Sequence, residues 1–199
     1  MKLHHSPASP FVRKVLACAI LRGIEDRIEI IATDPHSSPA HLLADNPLSK
    51  IPCLVTDDGV AVYDSPVICE YLDAIGEAEP LFPPAGSKAR LAAQVMHALA
   101  DGIMDAAVAR RMRVGKPVDE ARMHFLDRQK AAVERGLAVL ETDPPEALSD
   151  IGAVAAGCAL GYLDFRFADE PWRAAHPRLA AWFEAVSREP AMARTAPPK

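Results

Sequence analysis

The chain has 199 residues, half of them hydrophobic and a quarter charged, with 22 basic and 27 acidic side chains for a net charge of −5. That composition fits a globular protein with ample core, and it offers no basic, aromatic-interleaved patch for nucleic acid. No apolar run reaches the roughly 20 residues needed to cross a bilayer, and the Met1-Lys2-Leu3-His4-His5 start lacks a signal-peptide core, so a cytoplasmic location is expected.

Lys2 to His5 reads as a short first strand. Ser6-Pro7-Ala8-Ser9-Pro10 is a turn, after which Ser9 caps and Pro10 opens a helix to about Leu21 with Phe11, Val12, Val15, Leu16 and Ala19 inward. Gly23 stops it. Ile28 to Ile31 is a second strand, Asp34 to Pro39 a polar turn, and Ala40 to Ala44 a short helical piece. Cys53 to Thr56 and Val60 to Tyr63 flank Asp57-Asp58-Gly59, a hairpin pattern. Then Ser65 is expected to cap a helix with Pro66 at its first position and Val67, Ile68, Tyr71, Leu72 and Ile75 on one stripe.

Pro52 stands just before a strand, where its fixed φ and missing N–H need a reason. A cis Ile51–Pro52 bond in a tight turn supplies one. It would turn the backbone of Ile51 outward to pair with an extended peptide, while the helix start at Ser65 would offer N–H groups and partial positive charge to a carboxylate. Together they suit a small peptide with a carboxylate end.

The order strand–helix–strand–helix–hairpin–helix matches a thioredoxin-like α/β domain over 1–76. Residues 77–86, with Glu79-Pro80-Leu81-Phe82-Pro83-Pro84, read as a linker. From 87 to 199 the strand signal vanishes and an all-α bundle is expected. Ser87 opens a long helix to about Val114, which Gly115-Lys116-Pro117 breaks. A second runs from about Val118 to Leu140, ended by Asp143-Pro144-Pro145. Asp150 to Ala168 is apolar enough to be the central buried helix, and His176-Pro177 precedes a last amphipathic helix through Ser187. The four cysteines (Cys18, Cys53, Cys69 and Cys158) and the seven histidines show no zinc spacing, so no metal is expected.

Ile-Pro-Cys-Leu, an acidic-Gly turn, and Asp-Ser-Pro opening an apolar helix resemble the glutathione site of the glutathione S-transferase family. The layout of α/β domain, proline linker and helical bundle resembles that family over the whole chain. The resemblance implies that Lys50, Ile51, Pro52, Asp64 and Ser65 bind glutathione as co-substrate, with Ile51 pairing the cysteinyl backbone and Asp64 and Ser65 holding the γ-glutamyl end. It places Ser9, four residues before Arg13, where the family carries its thiol-activating Ser, Tyr or Cys. Ala98 to Asp105 and Gly161 to Arg166 look like a bacterial subgroup with serine at that position. Met104, Ala107, Val108 and Arg111 are implied as walls for a small hydrophobic electrophile, and Asp101 as a contact to the partner's glutathione site in a homodimer. In the family the buried helix of the second domain begins with a Ser/Thr cap and an Asp three residues on; here Asp150 and Ala153 stand there, so only half of that capping box remains.

A thiol near its reference pKa of about 8.5 is mostly protonated at neutral pH. A donor hydroxyl and a helix N-terminus favour the thiolate, so Ser9 is expected to donate to the sulfur rather than attack. Three activities fit: conjugation to a small apolar electrophile, another glutathione-dependent reaction such as peroxide reduction, isomerisation or dehalogenation, or a non-catalytic binding module.

Overall fold

A computed structural model describes residues 1–115, 117 and 119–198. Four strands form one mixed sheet: β1 (Lys2–His5), β2 (Glu29–Ala32), β3 (Cys53–Val55) and β4 (Ala61–Val62), in the order β2-β1-β3-β4. β1 and β2 run parallel, joined through α1 (Pro10–Leu21), and β3 and β4 are antiparallel to their neighbours. α2 (Ala40–Asp45) precedes β3, and α3 (Ser65–Ile75) follows the hairpin. This is the expected thioredoxin-like half.

The second half is helical: α4 (Lys88–Arg111), α5 (Glu120–Thr142), α6 (Ile151–Arg166), α7 (Pro177–Val186) and α8 (Pro190–Arg194). α6 is the central helix, with every residue from Ile151 to Leu163 buried. Its wall of small residues admits α4 closely: a Cβ on Gly152 would lie 2.7 Å from the Ala93 carbonyl. Asp150 caps it, Oδ1 accepting from Ala153 N–H at 2.9 Å, so the missing half of the capping box leaves this bond intact.

Several boundaries differ from expectation. Asp64, not Ser65, occupies the N-cap of α3, putting Ser65 and Pro66 in its first turn. α4 ends at Arg111 rather than near Val114, and α5 starts at Glu120, capped by Asp119 Oδ1 from Arg122 N–H at 2.7 Å. The expected start at Val118 lies outside the described residues. α8 went unexpected, being only five residues long.

Gly76 to Ser87 contains no helix or strand, yet it is fastened. The Asp73 carboxylate accepts from Leu81 and Phe82 N–H at 2.7 and 3.2 Å and pairs with Arg22 at 3.0 Å. Leu81 C=O in turn accepts from Ile151 N–H at 2.9 Å. These bonds tie α3 to the start of α6.

Candidate functional site

Sheet register brings the candidate residues to one end. His4 lies opposite Cys53, and Leu54 opposite Val62. The exit of β1, the entry of β3 and the exit of β4 therefore share one edge. The Ser6–Ser9 turn, Ile51-Pro52 and Asp64-Ser65 all open there, and so do the N-termini of α1 and α3. Two helix starts, each with its partial positive charge, therefore lie at this end of the sheet.

Ser9 caps α1, its Oγ accepting from Val12 N–H at 3.3 Å. Accepting there leaves the hydroxyl proton for another acceptor. The Ser9 N–H donates to Ser6 C=O at 3.1 Å, which closes the turn. Pro7, Ser9, Arg13, Tyr162 and Pro197 border a small cavity. Arg13 is buried; its Nη2 donates to Met192 C=O at 3.0 Å and its guanidinium packs against Gly161, where a Cβ would collide with it. That close approach is what the glycine in Gly161-Tyr162 permits. Burial pushes the Tyr162 phenol up, against the pull of Arg166.

The Ile51–Pro52 bond is cis, as expected, and so is Tyr63–Asp64. Pro52 is buried, Ile51 half-buried and Lys50 exposed. Ser65 is buried at 3% exposure, and the exposed Asp64 makes no cap bond with its side chain, so among the described residues its carboxylate is uncommitted at the head of α3.

From the helical half, α4 reaches this end of the sheet. Lys14 of α1 is fully buried, and its Nζ donates to both Asp101 oxygens at 2.6 and 2.8 Å and lies 2.7 Å from His97 Nε2. An ammonium only donates, so His97 Nε2 accepts and the ring is neutral. Burial, with Lys14 nearby, holds the His97 pKa down at about 3. Burial pushes the Asp101 carboxyl up against the pull of Lys14, and the charges of Asp105 and Asp64 add to that rise. Asp105 is likewise raised by burial, feeling Lys50 in the opposite sense and Asp64 in the same sense. The head of α3, Lys50 and the acidic residues of α4 thus share one field.

Asp101, expected to reach a partner's site, has both oxygens held by Lys14 of its own chain; Asp105 is the neighbouring carboxylate with exposed surface. Met104 and Ala107 are fully buried in the apolar cluster, Val108 is half-buried and Arg111 exposed. Cys53 is buried, its thiol pushed up to about 11 by burial and the Asp45 charge, which leaves it a poor nucleophile at neutral pH. Among the described residues no three His, Cys, Asp or Glu side chains gather to hold a metal, and no helix is long and apolar enough to cross a membrane.

Sequence reasoning gave no role to Lys14 or His97, and it read Asp105 and Tyr162 only as parts of the segments resembling a bacterial subgroup. Lys14 was legible as a lysine inside an apolar helix stripe, beside Val12 and Val15, and a buried cation needs a partner. Nothing local pointed to which one.

The family description for the glutathione S-transferase N-terminal domain matches residues 8–75, and that for the C-terminal domain matches 123–185. The chain is 35% identical to the uncharacterized GST-like protein YibF of Escherichia coli K12 over 205 residues, covering 100% of both. It superposes with a TM-score of 0.93 on the crystal structure of a glutathione transferase family member from Pseudomonas fluorescens Pf-5 with bound glutathione, at 44% identity over 100% of this chain and 99% of that one. A structure of a Pseudomonas fluorescens Pf-5 family member with bound S-(propanoic acid)-glutathione gives 0.87 at 41% identity, covering 100% of each. The arrangement at the sheet edge and these matches along the whole chain agree: the protein belongs to the glutathione S-transferase family.

Proposed function

We propose that this protein binds glutathione at the shared end of its sheet and transfers the thiolate to a small apolar electrophile. One observation carries the reading: Ser9, with its hydroxyl proton free, the Ile51 backbone and the uncommitted Asp64 carboxylate open on the same edge between two helix N-termini. Glutathione bound in the Pseudomonas relative supports it. Lys50, Ile51 and Pro52 hold the cysteinyl stretch, Ser65 and the first turn of α3 take the γ-glutamyl carboxylate, and Asp64, aided by Asp105, takes its ammonium.

The thiol gives its proton to water. Ser9 keeps its own proton and donates a hydrogen bond to the sulfur, which the first turn of α1 also stabilises. The sulfur lone pair then forms a bond to electrophilic carbon, and the leaving group departs with its electron pair. Serine at this position and a high thiol pKa at Cys53 favour conjugation over thiol–disulfide exchange. Val108 and Arg111 would wall the electrophile, with the buried Met104 and Ala107 packed beneath them.

The working unit is proposed to be a cytoplasmic homodimer. Leu91 and Val95 of α4 are exposed at 64% and 60%, one turn apart, and Val67 of α3 at 51%. They would form the apolar seam, with Asp101 and Asp105 beside the partner's site. Turnover of chlorodinitrobenzene with glutathione supports conjugation. Turnover of an organic hydroperoxide alone replaces it with peroxide reduction, and glutathione binding without either activity replaces it with a binding module.

A further inference from the structure

His4 holds both ends of the loop that presents Ile51. Its backbone lies opposite Cys53 in the β1–β3 ladder, two residues after Ile51. Its ring Nε2 lies 2.7 Å from Asp45 Oδ2, at the last residue of α2. The next residue, Asn46, is 1% exposed and spans the loop: Nδ2 donates to Lys50 C=O at 2.8 Å, and Oδ1 accepts from Leu48 N–H at 3.0 Å. A continuous run of contacts therefore leads from a buried ring in the sheet to the peptide group joining Lys50 and Ile51.

The ring has a polar partner on each nitrogen. Nδ1 lies 3.1 Å from Thr33 Oγ1, which is 3.0 Å from Ile31 C=O and 3.4 Å from His41 Nε2. A carboxylate accepts only, so Nε2 brings the N–H to Asp45. The His41 ring stacks on His4 at 5.5 Å. The groups facing His4 are Thr33 after β2, His41 and Asp45 of α2, and Cys53 of β3; Asp45 is the anion among them.

We propose that His4, hydrogen-bonded to Asp45, is a positioning residue that fixes the glutathione-binding loop, so that affinity for glutathione depends on the pair while the thiol step at Ser9 does not. This rests on the reading of the edge as a glutathione site. Asp45 is a third exposed, so its variants perturb the pair without opening the core. Asp45→Ala should raise the Kd and KM for glutathione about ten-fold or more, the scale of one charged hydrogen bond, with kcat within about two-fold. Asp45→Asn, which keeps an acceptor oxygen, should recover part of the loss. Nitrogen NMR of the wild type should show a proton on His4 Nε2, the nitrogen facing Asp45. A wild type that binds glutathione with an Asp45→Ala variant of equal affinity overturns the inference alone, as does a His4 ring without a proton on Nε2. A loss shared equally by kcat and thermal stability with no change in KM also overturns it. A wild type that does not bind glutathione removes the site reading, and this inference with it.

Discussion

Asp101→Ala removes the carboxylate that holds Lys14. The ammonium is fully buried, and two of its three bonds go to Asp101 at 2.6 and 2.8 Å; His97 is left as the acceptor. Breaking one side of a buried pair costs ~3–5 kcal/mol, because the remaining charge is stranded away from water. At ~2–4 °C per kcal/mol for a chain of this size, Tm should fall by ~6–20 °C. Lys14→Met should cost less, since Asp101 keeps 17% of its side-chain surface exposed and can be solvated. The double variant should cost less than the sum of the two, the mark of a direct interaction. Calorimetry of the four proteins measures the cycle. His97 adds a pH arm. Folded, its pKa is about 3, against 6.5 when free. Between those values the unfolded chain takes a proton that the folded one refuses, so stability falls as pH falls through that window. His97→Gln keeps an acceptor for Lys14 and should flatten that part of the profile. A loss under about 1 kcal/mol for Asp101→Ala, the scale of a surface ion pair, would refute the reasoning.

Three further outcomes are expected. Ser65→Ala should weaken glutathione binding by about 1–3 kcal/mol; since Asp64 holds the N-cap position, the thermal midpoint should move little, and unchanged affinity by titration calorimetry would reject the role. Gly152→Ala should destabilise the protein by about 1–3 kcal/mol in denaturant titration, because its methyl group would meet the Ala93 carbonyl at 2.7 Å and Met96 at 2.8 Å. Leu91→Glu with Val95→Glu should turn a dimer into monomers in sedimentation, whereas a wild type already monomeric at micromolar concentration would contradict the proposed seam.

Short-range signals carried much of the fold. Ser9-Pro10, Ser87 and Asp150 cap their helices because a side-chain oxygen three residues back is all that a cap needs. The turn at Pro52 was legible for a similar reason, one residue dictating one backbone shape. The cap of α3 was misplaced by one residue, since Asp64 and Ser65 are equally good at that position and only the backbone path chooses. α8 escaped because five residues show no helical period. The functional interior was hardest. Lys14 and Asp101 are 87 residues apart, and His4 and Asp45 are 41 apart. Each looks like an isolated polar residue until the fold brings its partner. Gly161 reads as a weak point in a helix until Arg13 is seen lying across it.

The central claim is that Ser9 donates to the glutathione sulfur, and the thiolate absorbance of the bound complex, titrated with pH, tests it most directly. A donated bond of roughly 1.5–3 kcal/mol corresponds to one or two pKa units. Ser9→Ala should therefore raise the thiol pKa of bound glutathione by that amount and slow conjugation more at pH ~6.5 than at pH ~9, above the reference thiol value. Ser6→Ala, at the far end of the turn, should titrate like the wild type. A Ser9→Ala complex that binds glutathione and titrates like the wild type, or a Ser6→Ala complex that carries the shift instead, would contradict the account.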